Sequence, residues 1–457
     1  MTSSGAIDDS QADDLSGEHA RRDDSRRGFI RGSSLLLAGA LPAAGSTRAT
    51  AAHAGGSGLA GELKVGLIGC GYQGLVSASE LLSQESWAGQ IRLTALADAF
   101  PDRLQQTLRT LRSRFGEQVR VDAGSRFVGW HAYQELVSSD VDLVLLATPP
   151  VFRPQHAQAA VAAGKHVHAE LPVAVDVSGL LQFRAAAIDA AQQRLAFGVG
   201  CAADEPTRGF ESTLAQLRQG AIGRLTHVTA ACAGQHRKPW TSPKPLPAPV
   251  IQLRNWWEHA WASGGADVER RVGGLHIANM LFGGHPREAR PREGDTAGLP
   301  PGAVTALAHQ VVYTYPCGGR LLCGNLAPAA TRGKGCWLTV YGRGGRCDLN
   351  AGEIYNSRHE LVWTATRETA VEATQLPSWE SLLASIASGS EHSSPLTAAD
   401  ATLTALLGGW ALLSGQPLGW DACLADPGLF DRWARPPGDL DVDRLLGLKP
   451  YCVAGRS

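Results

Sequence analysis

Six consecutive residues, Gly69-Cys70-Gly71-Tyr72-Gln73-Gly74, and one acid, Asp98, carry the most legible chemistry in this chain. The run is a GxGxxG. Gly69 would make a tight turn, Gly71 would let the backbone approach a pyrophosphate, and Gly74 would let the following helix pack against the preceding strand. The phosphates then sit at a helix N-terminus, where unpaired N–H groups favour negative charge. A lone GxGxxG is weak evidence. Here it follows Leu63-Lys64-Val65-Gly66-Leu67-Ile68, a buried-strand pattern, and precedes Leu75, Val76, Ala78, Leu81 and Leu82 at helical spacing. A second strand, Ile91 to Ala97, ends at Asp98, 24 residues beyond Gly74. A carboxylate there accepts hydrogen bonds from a ribose diol and repels a 2′-phosphate, so NAD is expected, with NADP kept open by nearby Arg103.

The elements that must position these residues alternate in type. Helices are predicted near 102–115, 132–138, 156–163 and 176–194, with a fully apolar strand over Val141–Ala147 and another near Leu195–Val199. This predicts a Rossmann dinucleotide-binding domain over residues 62–199. Beyond it, residues 200–457 contain alternating stretches at Leu225–Cys232, Ala306–Tyr315 and Gly319–Leu326, which read as strands of a second sheet.

A length of 457 residues exceeds what one core of about 250 residues holds, in agreement with two domains. With 42 Lys+Arg against 43 Asp+Glu the chain offers no basic surface for nucleic acid. Nine cysteines without a CxxC pair argue against a disulfide framework and against a thiolate zinc site, so no metal is expected. Cys70 reads as a small filler, and Cys317 and Cys323 are a pair whose oxidation the sequence leaves open.

The first segment reads as an export signal. Residues 2–24 are polar, Ser25-Arg26-Arg27-Gly28-Phe29-Ile30-Arg31 resembles a twin-arginine signal, an apolar run follows over 32–44, and Ala52-His53-Ala54 is a cleavage pattern. Residues 1–54 are therefore expected to be removed, giving a bacterial periplasmic or cell-envelope protein. No later window looks long and apolar enough to span a membrane.

Ala147-Thr148-Pro149, His156, Gly164-Lys165-His166-Val167 and Glu170-Leu171-Pro172 resemble the Gfo/Idh/MocA family of oxidoreductases, in its exported branch. The second half resembles it too, through Arg254-Asn255-Trp256-Trp257, Asp267-Val268-Glu269, Gly283-Gly284-His285-Pro286 and Gly419-Trp420. The resemblance implies an α/β protein: an N-terminal Rossmann domain, then a C-terminal α/β domain whose large, mostly antiparallel sheet mediates homo-oligomers. It adds Thr148, Pro149, His156 and Glu170 to the glycine loop and Asp98 as cofactor-binding positions, and it implies a sugar- or cyclitol-like ligand.

Two catalytic positions depart from the family. Where the family has the Lys of Glu-Lys-Pro this chain has Leu171, and where it has a His on the helix of the second domain it has Gly273. Leu171 cannot move a proton. His276, one turn beyond Gly273, together with Glu269 and His236, are the candidate replacements, and Gly273-Gly274 is expected to interrupt or open the helix. The readings are an oxidoreductase with a relocated acid–base group, a catalytically inactive binding or scaffold homologue, and an NAD-dependent glycosidase-like enzyme. Trp240, Trp256, Trp257 and Trp261 are either an aromatic rim for a sugar or core contacts.

Overall fold

The computed structural model describes residues 61–200, 210–233, 238–293, 309–325, 335–365, 379–390 and 394–428. The export signal over 1–54 and His236 lie outside the described residues. Six parallel strands form the first sheet: β1 (Leu63–Ile68), β2 (Ile91–Asp98), β3 (Arg126–Val128), β4 (Leu143–Leu146), β5 (His166–Ala169) and β6 (Phe197–Val199). Their order is β3-β2-β1-β4-β5-β6. This is the doubly wound order, in which the direction of winding reverses between β1 and β4 and opens a crevice at their carboxyl ends. The helices α1 (Tyr72–Leu82), α2 (Pro101–Phe115), α3 (Ala132–Val137), α4 (Arg153–Ala162) and α5 (Val177–Gln192) connect the strands. β1 and β4 are buried almost throughout because helices cover both faces of the sheet.

The second half begins with α6 (Phe210–Arg218) and β7 (Leu225–Ala233), followed by α7 (Ala248–Arg254), α8 (Ala260–Ser263) and α9 (Ala266–Phe282). Strands β8 (Glu288–Glu293), β9 (His309–Thr314), β10 (Arg320–Asn325), β11 (Gly335–Gly342), β12 (Gly345–Asp348), β13 (Glu353–Asn356) and β14 (Leu361–Thr364) follow. The chain continues through α10 (Trp379–Ser388), α11 (Ser394–Ser414), β15 (Leu418–Gly419) and α12 (Trp420–Ala425). The nine strands of the second sheet run in the order β14-β13-β12-β11-β7-β10-β9-β8-β15. Every neighbouring pair is antiparallel except β7 with β10.

The two sheets share one core, and Ser57–Ser457 is one compact unit. α9 and α11 cover the inner face of the large sheet, and α11 also packs on α5 and β6 of the first. An Arg184 to Asp400 ion pair of 2.6 Å joins α5 to α11. α10 returns to the first sheet, where Leu382 and Leu383 are buried and Trp379 stacks on His168 at 3.9 Å. His166 accepts from the Ala196 N–H, and His168 Nε2 stands 3.8 Å from a Glu170 carboxylate oxygen. α11 corrects one expectation: Pro395–Ser414 is long and apolar enough to cross a membrane. It is apolar on most sides because it is wedged between two sheets.

Cysteine pairing also differs from expectation. Cys232 and Cys336 face each other on β7 and β11 and form a disulfide across 104 residues of sequence. Cys317 and Cys323 are both free, since Cys317 lies exposed in the turn before β10 while Cys323 points into the core. The disulfide explains Gly274. α9 runs unbroken through Gly273-Gly274, and a Cβ on Gly274 would stand 2.8 Å from Cys336 Cβ and 2.9 Å from its Sγ. The glycine lets the bridged strands press against the helix backbone instead of breaking it. Closing a loop of this length stabilises by about 3–5 kcal/mol. Cys336→Ser should lose stability of that order in urea denaturation, and alkylation without reductant should spare Cys232 and Cys336 in the parent protein. A parent protein fully alkylated under those conditions would contradict the pairing.

Candidate active site

The glycine loop lies at the crevice between β1 and β4. Gly69 has φ +98°, and a Cβ there would stand 2.7 Å from the Ala147 carbonyl carbon and the Thr148 nitrogen. A Cβ on Gly74 would stand 2.0 Å from the Gly69 oxygen, so loop and helix touch backbone to backbone. Gly71 is unlike both. Its φ of −81° and ψ of −169° suit any residue, and a Cβ on it would meet nothing within 4 Å. Neither backbone conformation nor packing requires a glycine there, whereas a ligand approaching the backbone does. Among the described residues the N-cap position of α1 makes no side-chain cap bond and the first turn holds no acid, so this helix N-terminus suits an anion. Tyr72 stands exposed at the mouth.

Asp98 ties this loop to the second strand. One carboxylate oxygen accepts from the Cys70 N–H at 2.7 Å and the other from the Phe100 N–H at 2.7 Å. Burial raises the carboxyl pKa, opposed chiefly by the Arg103 charge. Each oxygen retains a further lone pair for a ribose hydroxyl. Arg103 is committed elsewhere, donating to the Arg254 carbonyl at 2.9 Å and lying over the Phe100 ring. That disfavours its use on a 2′-phosphate. Burial, followed by the Asp98 charge, holds the Cys70 thiol protonated, in keeping with a filler.

Across the crevice, Glu170 is buried and pins α1 from below. Ser77 Oγ donates to one of its oxygens and Gln73 Nε2 to the other at 3.1 Å. Burial raises the Glu170 pKa, opposed first by the Ser77 hydrogen bond. Arg153, which sequence reasoning did not single out, is the other buried ion of the cluster. Its Nη1 donates to the Glu170 carbonyl at 3.0 Å and to the Pro172 carbonyl, so it grips the chain on both sides of Leu171. Burial lowers its pKa to about 10, with Glu170 and then Glu269 opposing. The guanidinium therefore stays charged at neutral pH and lies within the electrostatic reach of Glu269 on α9. Leu171 itself is buried, in cis linkage to Pro172.

Pro149 and Thr148 follow β4, and Thr148 Oγ1 lies 3.2 Å from His156 Nδ1. The His156 ring packs on Tyr133 at 4.3 Å and on Phe152 at 6.1 Å. Burial, followed by the Arg153 charge, pushes its pKa down to about 3, so it is a neutral wall of the crevice.

His276 is not delivered to this cluster. It is 2% exposed, its Nδ1 has no hydrogen-bond partner among the described residues, and it bonds the Thr397 backbone of α11. Burial lowers its pKa to about 4, with the Thr397 bond opposing. Glu269 and His276 share a helix face but stand two turns apart, about 10 Å at 1.5 Å per residue, too far to act as an acid–base pair. This corrects the expectation that they would work together. Of the tryptophans, Trp261 is core, Trp256 and Trp257 meet edge to face at 6.3 Å, and Trp240 stacks on Arg254.

Residues 63–198 match the model of the oxidoreductase family with an NAD-binding Rossmann fold, Gfo/Idh/MocA, as the motifs of this half imply. A curated relative, a glycosyl hydrolase family 109 protein of Shewanella amazonensis, is 30% identical over 222 residues, 45% of this chain and 45% of that protein. The chain thus aligns with less than half the length of that relative. Among solved structures, the aldose-aldose oxidoreductase of Caulobacter crescentus superposes with a TM-score of 0.55 at 16% identity, covering 78% of this chain and 99% of that one. The myo-inositol 2-dehydrogenase of Lactobacillus plantarum does so with a TM-score of 0.53 at 15% identity, covering 78% and 99%. These two likenesses show the fold.

The two buried neutral histidines make stability pH-dependent. Their folded pKa values, about 3 and about 4, lie below the unfolded value near 6.5, so the unfolded chain takes up protons first. Their contribution is complete above about pH 6.5 and is lost as pH falls toward those folded values. Each should steepen the loss by about 1 kcal/mol per pH unit between pH 6 and 5. His276→Gln should flatten that dependence in denaturant titrations relative to the parent protein; an identical slope would contradict the assignment.

Proposed function

We propose that the chain is an exported NAD(H)-binding oxidoreductase acting on a sugar- or cyclitol-like ligand. Gly71 carries the reading, because its glycine is required by no feature of the protein itself. The residues present fit the dinucleotide. The Gly69–Gly74 loop and the α1 N-terminus would take the pyrophosphate, Asp98 the ribose diol, and Thr148, Pro149, His156 and Glu170 would line the nicotinamide side. Bound there, the dinucleotide supplies a hydride acceptor. The chain must then hold the ligand's hydroxyl proton, and neither Leu171 nor Gly273 can. Glu269, with the Arg153 charge nearby, is the residue assigned to that task. The dehydrogenase and aldose oxidoreductase names among the structural neighbours support the ligand class.

A second reading, binding without turnover, is favoured by Leu171 and by the burial of His276. The name of the curated relatives supports a third, glycoside cleavage with no net change in the nicotinamide. Export is supported by the Cys232–Cys336 disulfide, a bond that persists in oxidising compartments. The outer face of the large sheet, where Trp337 is exposed and His227 stacks on Tyr341, supports association of copies through that sheet.

The test is absorbance and native mass spectrometry of the purified protein for bound NAD(H), followed by a panel of sugars, cyclitols and chromogenic glycosides. A reduced-cofactor band that grows with a sugar or cyclitol supports the proposal, and Glu269→Gln should then slow turnover at least about a hundredfold. Aglycone release without that band selects the glycosidase, and retained dinucleotide without either selects the binder. Native masses from the same preparation report the association, a monomer contradicting it. Arg26→Lys with Arg27→Lys should retain the protein in the cytoplasm, and unchanged secretion would count against twin-arginine export.

A further inference from the structure

Beside Asp98 the two halves of the chain are bolted together by residues about 150 positions apart. The Arg254 guanidinium lies between two rings, 4.1 Å from the Phe100 centroid and 4.3 Å from that of Trp240. Its Nη1 and Nη2 donate to the two oxygens of Asp102 at 2.9 and 2.7 Å, a bidentate pair in which Arg254 is fully buried. Arg103 adds its bond to the Arg254 carbonyl. Trp240 is fixed in turn, its N–H donating to Asn255 Oδ1 at 2.7 Å and its carbonyl accepting from Asn255 Nδ2 at 3.0 Å. On the other side, Phe100 is the residue whose N–H is held by Asp98, and Asp98 also holds the glycine loop at Cys70.

An unbroken set of contacts therefore runs from the glycine loop through Asp98 and Phe100 to Arg254 and Trp240. In a sheet of this strand order the adenosine ribose sits at the end of β2. The stack stands directly after that strand, on Phe100 and the first turn of α2, yet its upper members come from the 238–255 segment of the second half. Hydrophobic packing alone would not need a doubly bonded guanidinium here. A cation desolvated between two rings and fixed by a fork-to-fork carboxylate is a directional fastening.

We propose that the Phe100–Arg254–Trp240 stack, locked by Asp102, is a clasp that retards escape of the adenosine end of NAD(H), making the dinucleotide resident rather than freely exchanging. The inference rests on dinucleotide binding at the glycine loop. Arg254 and Trp240 are positioning residues in it: they hold the segment that closes the site beside Asp98.

The test is stopped-flow displacement of NADH from the loaded protein, read by energy transfer from tryptophan, with the melting temperature of the NADH-free protein measured alongside. Trp240→Ala, at a half-buried position, should release NADH at least about fivefold faster, the size of effect expected from losing one desolvated ring face over a cation. Its NADH-free melting temperature should move by no more than about 2 °C. Arg254→Lys keeps the charge but loses the fork and the planar stack, so it should accelerate release as well. If Arg254→Lys fails to fold, Trp240→Ala decides the matter alone. Release at the parental rate in Trp240→Ala would overturn the clasp while leaving dinucleotide binding intact. A parent protein that binds no NADH would instead overturn both, and the control trace distinguishes the two failures.

Discussion

The Asp98 carboxylate is the hinge pin of the architecture. Buried at the end of β2, it accepts one N–H from the glycine loop and one from the start of α2. A buried carboxylate that lost either donor would face a desolvation cost of about 1–3 kcal/mol, so the two backbone segments are held to it. The loop can then lie against Ala147 and Thr148, with α1 tight against Gly69. Glu170 repeats the device from the opposite side of the crevice, holding Gln73 and Ser77 of the same helix. This half is thus braced by two buried acids, and Arg153 grips the backbone carbonyls of Glu170 and Pro172 on either side of Leu171.

A leucine and a glycine stand at the two positions where the resemblance implies proton-moving groups, and His276, one turn beyond Gly273, is sealed against α11. Gly273-Gly274 acquires a structural meaning in exchange, because Gly274 seats the disulfide that joins β7 to β11.

Much of this was legible from local spacing. The glycine loop and Asp98 lie within a strand–turn–helix–strand unit whose geometry follows from the pattern, Thr148, His156 and Glu170 were reached through the family resemblance, and the doubly wound order gathers the ends of their strands on one side of the sheet. What was not legible depends on residues far apart in the chain. Arg153 carries no local signal, and only the fold turns it inward onto the Glu170 and Pro172 carbonyls. The Cys232–Cys336 bridge spans 104 residues, and the Arg254–Asp102 pair spans 152, so neither leaves a periodic signal. His276 was read as lying one turn beyond Gly273 on the same helix face, but which neighbouring element that face meets is a tertiary fact. For the tryptophans, burial separates Trp261 from Trp240 where composition could not.

The central claim is that Gly71 is a glycine for the sake of a bound dinucleotide. Fluorescence titration of NADH into the parent protein and into Gly71→Ala, with denaturant stability measured on both, tests it most directly. The expected outcome is stabilities within about 0.5 kcal/mol of each other, as for a substitution that creates no clash, together with NADH binding weakened at least about tenfold, or about 1.4 kcal/mol. Equal NADH affinity in the two proteins, or no binding to either at millimolar concentration, would contradict it.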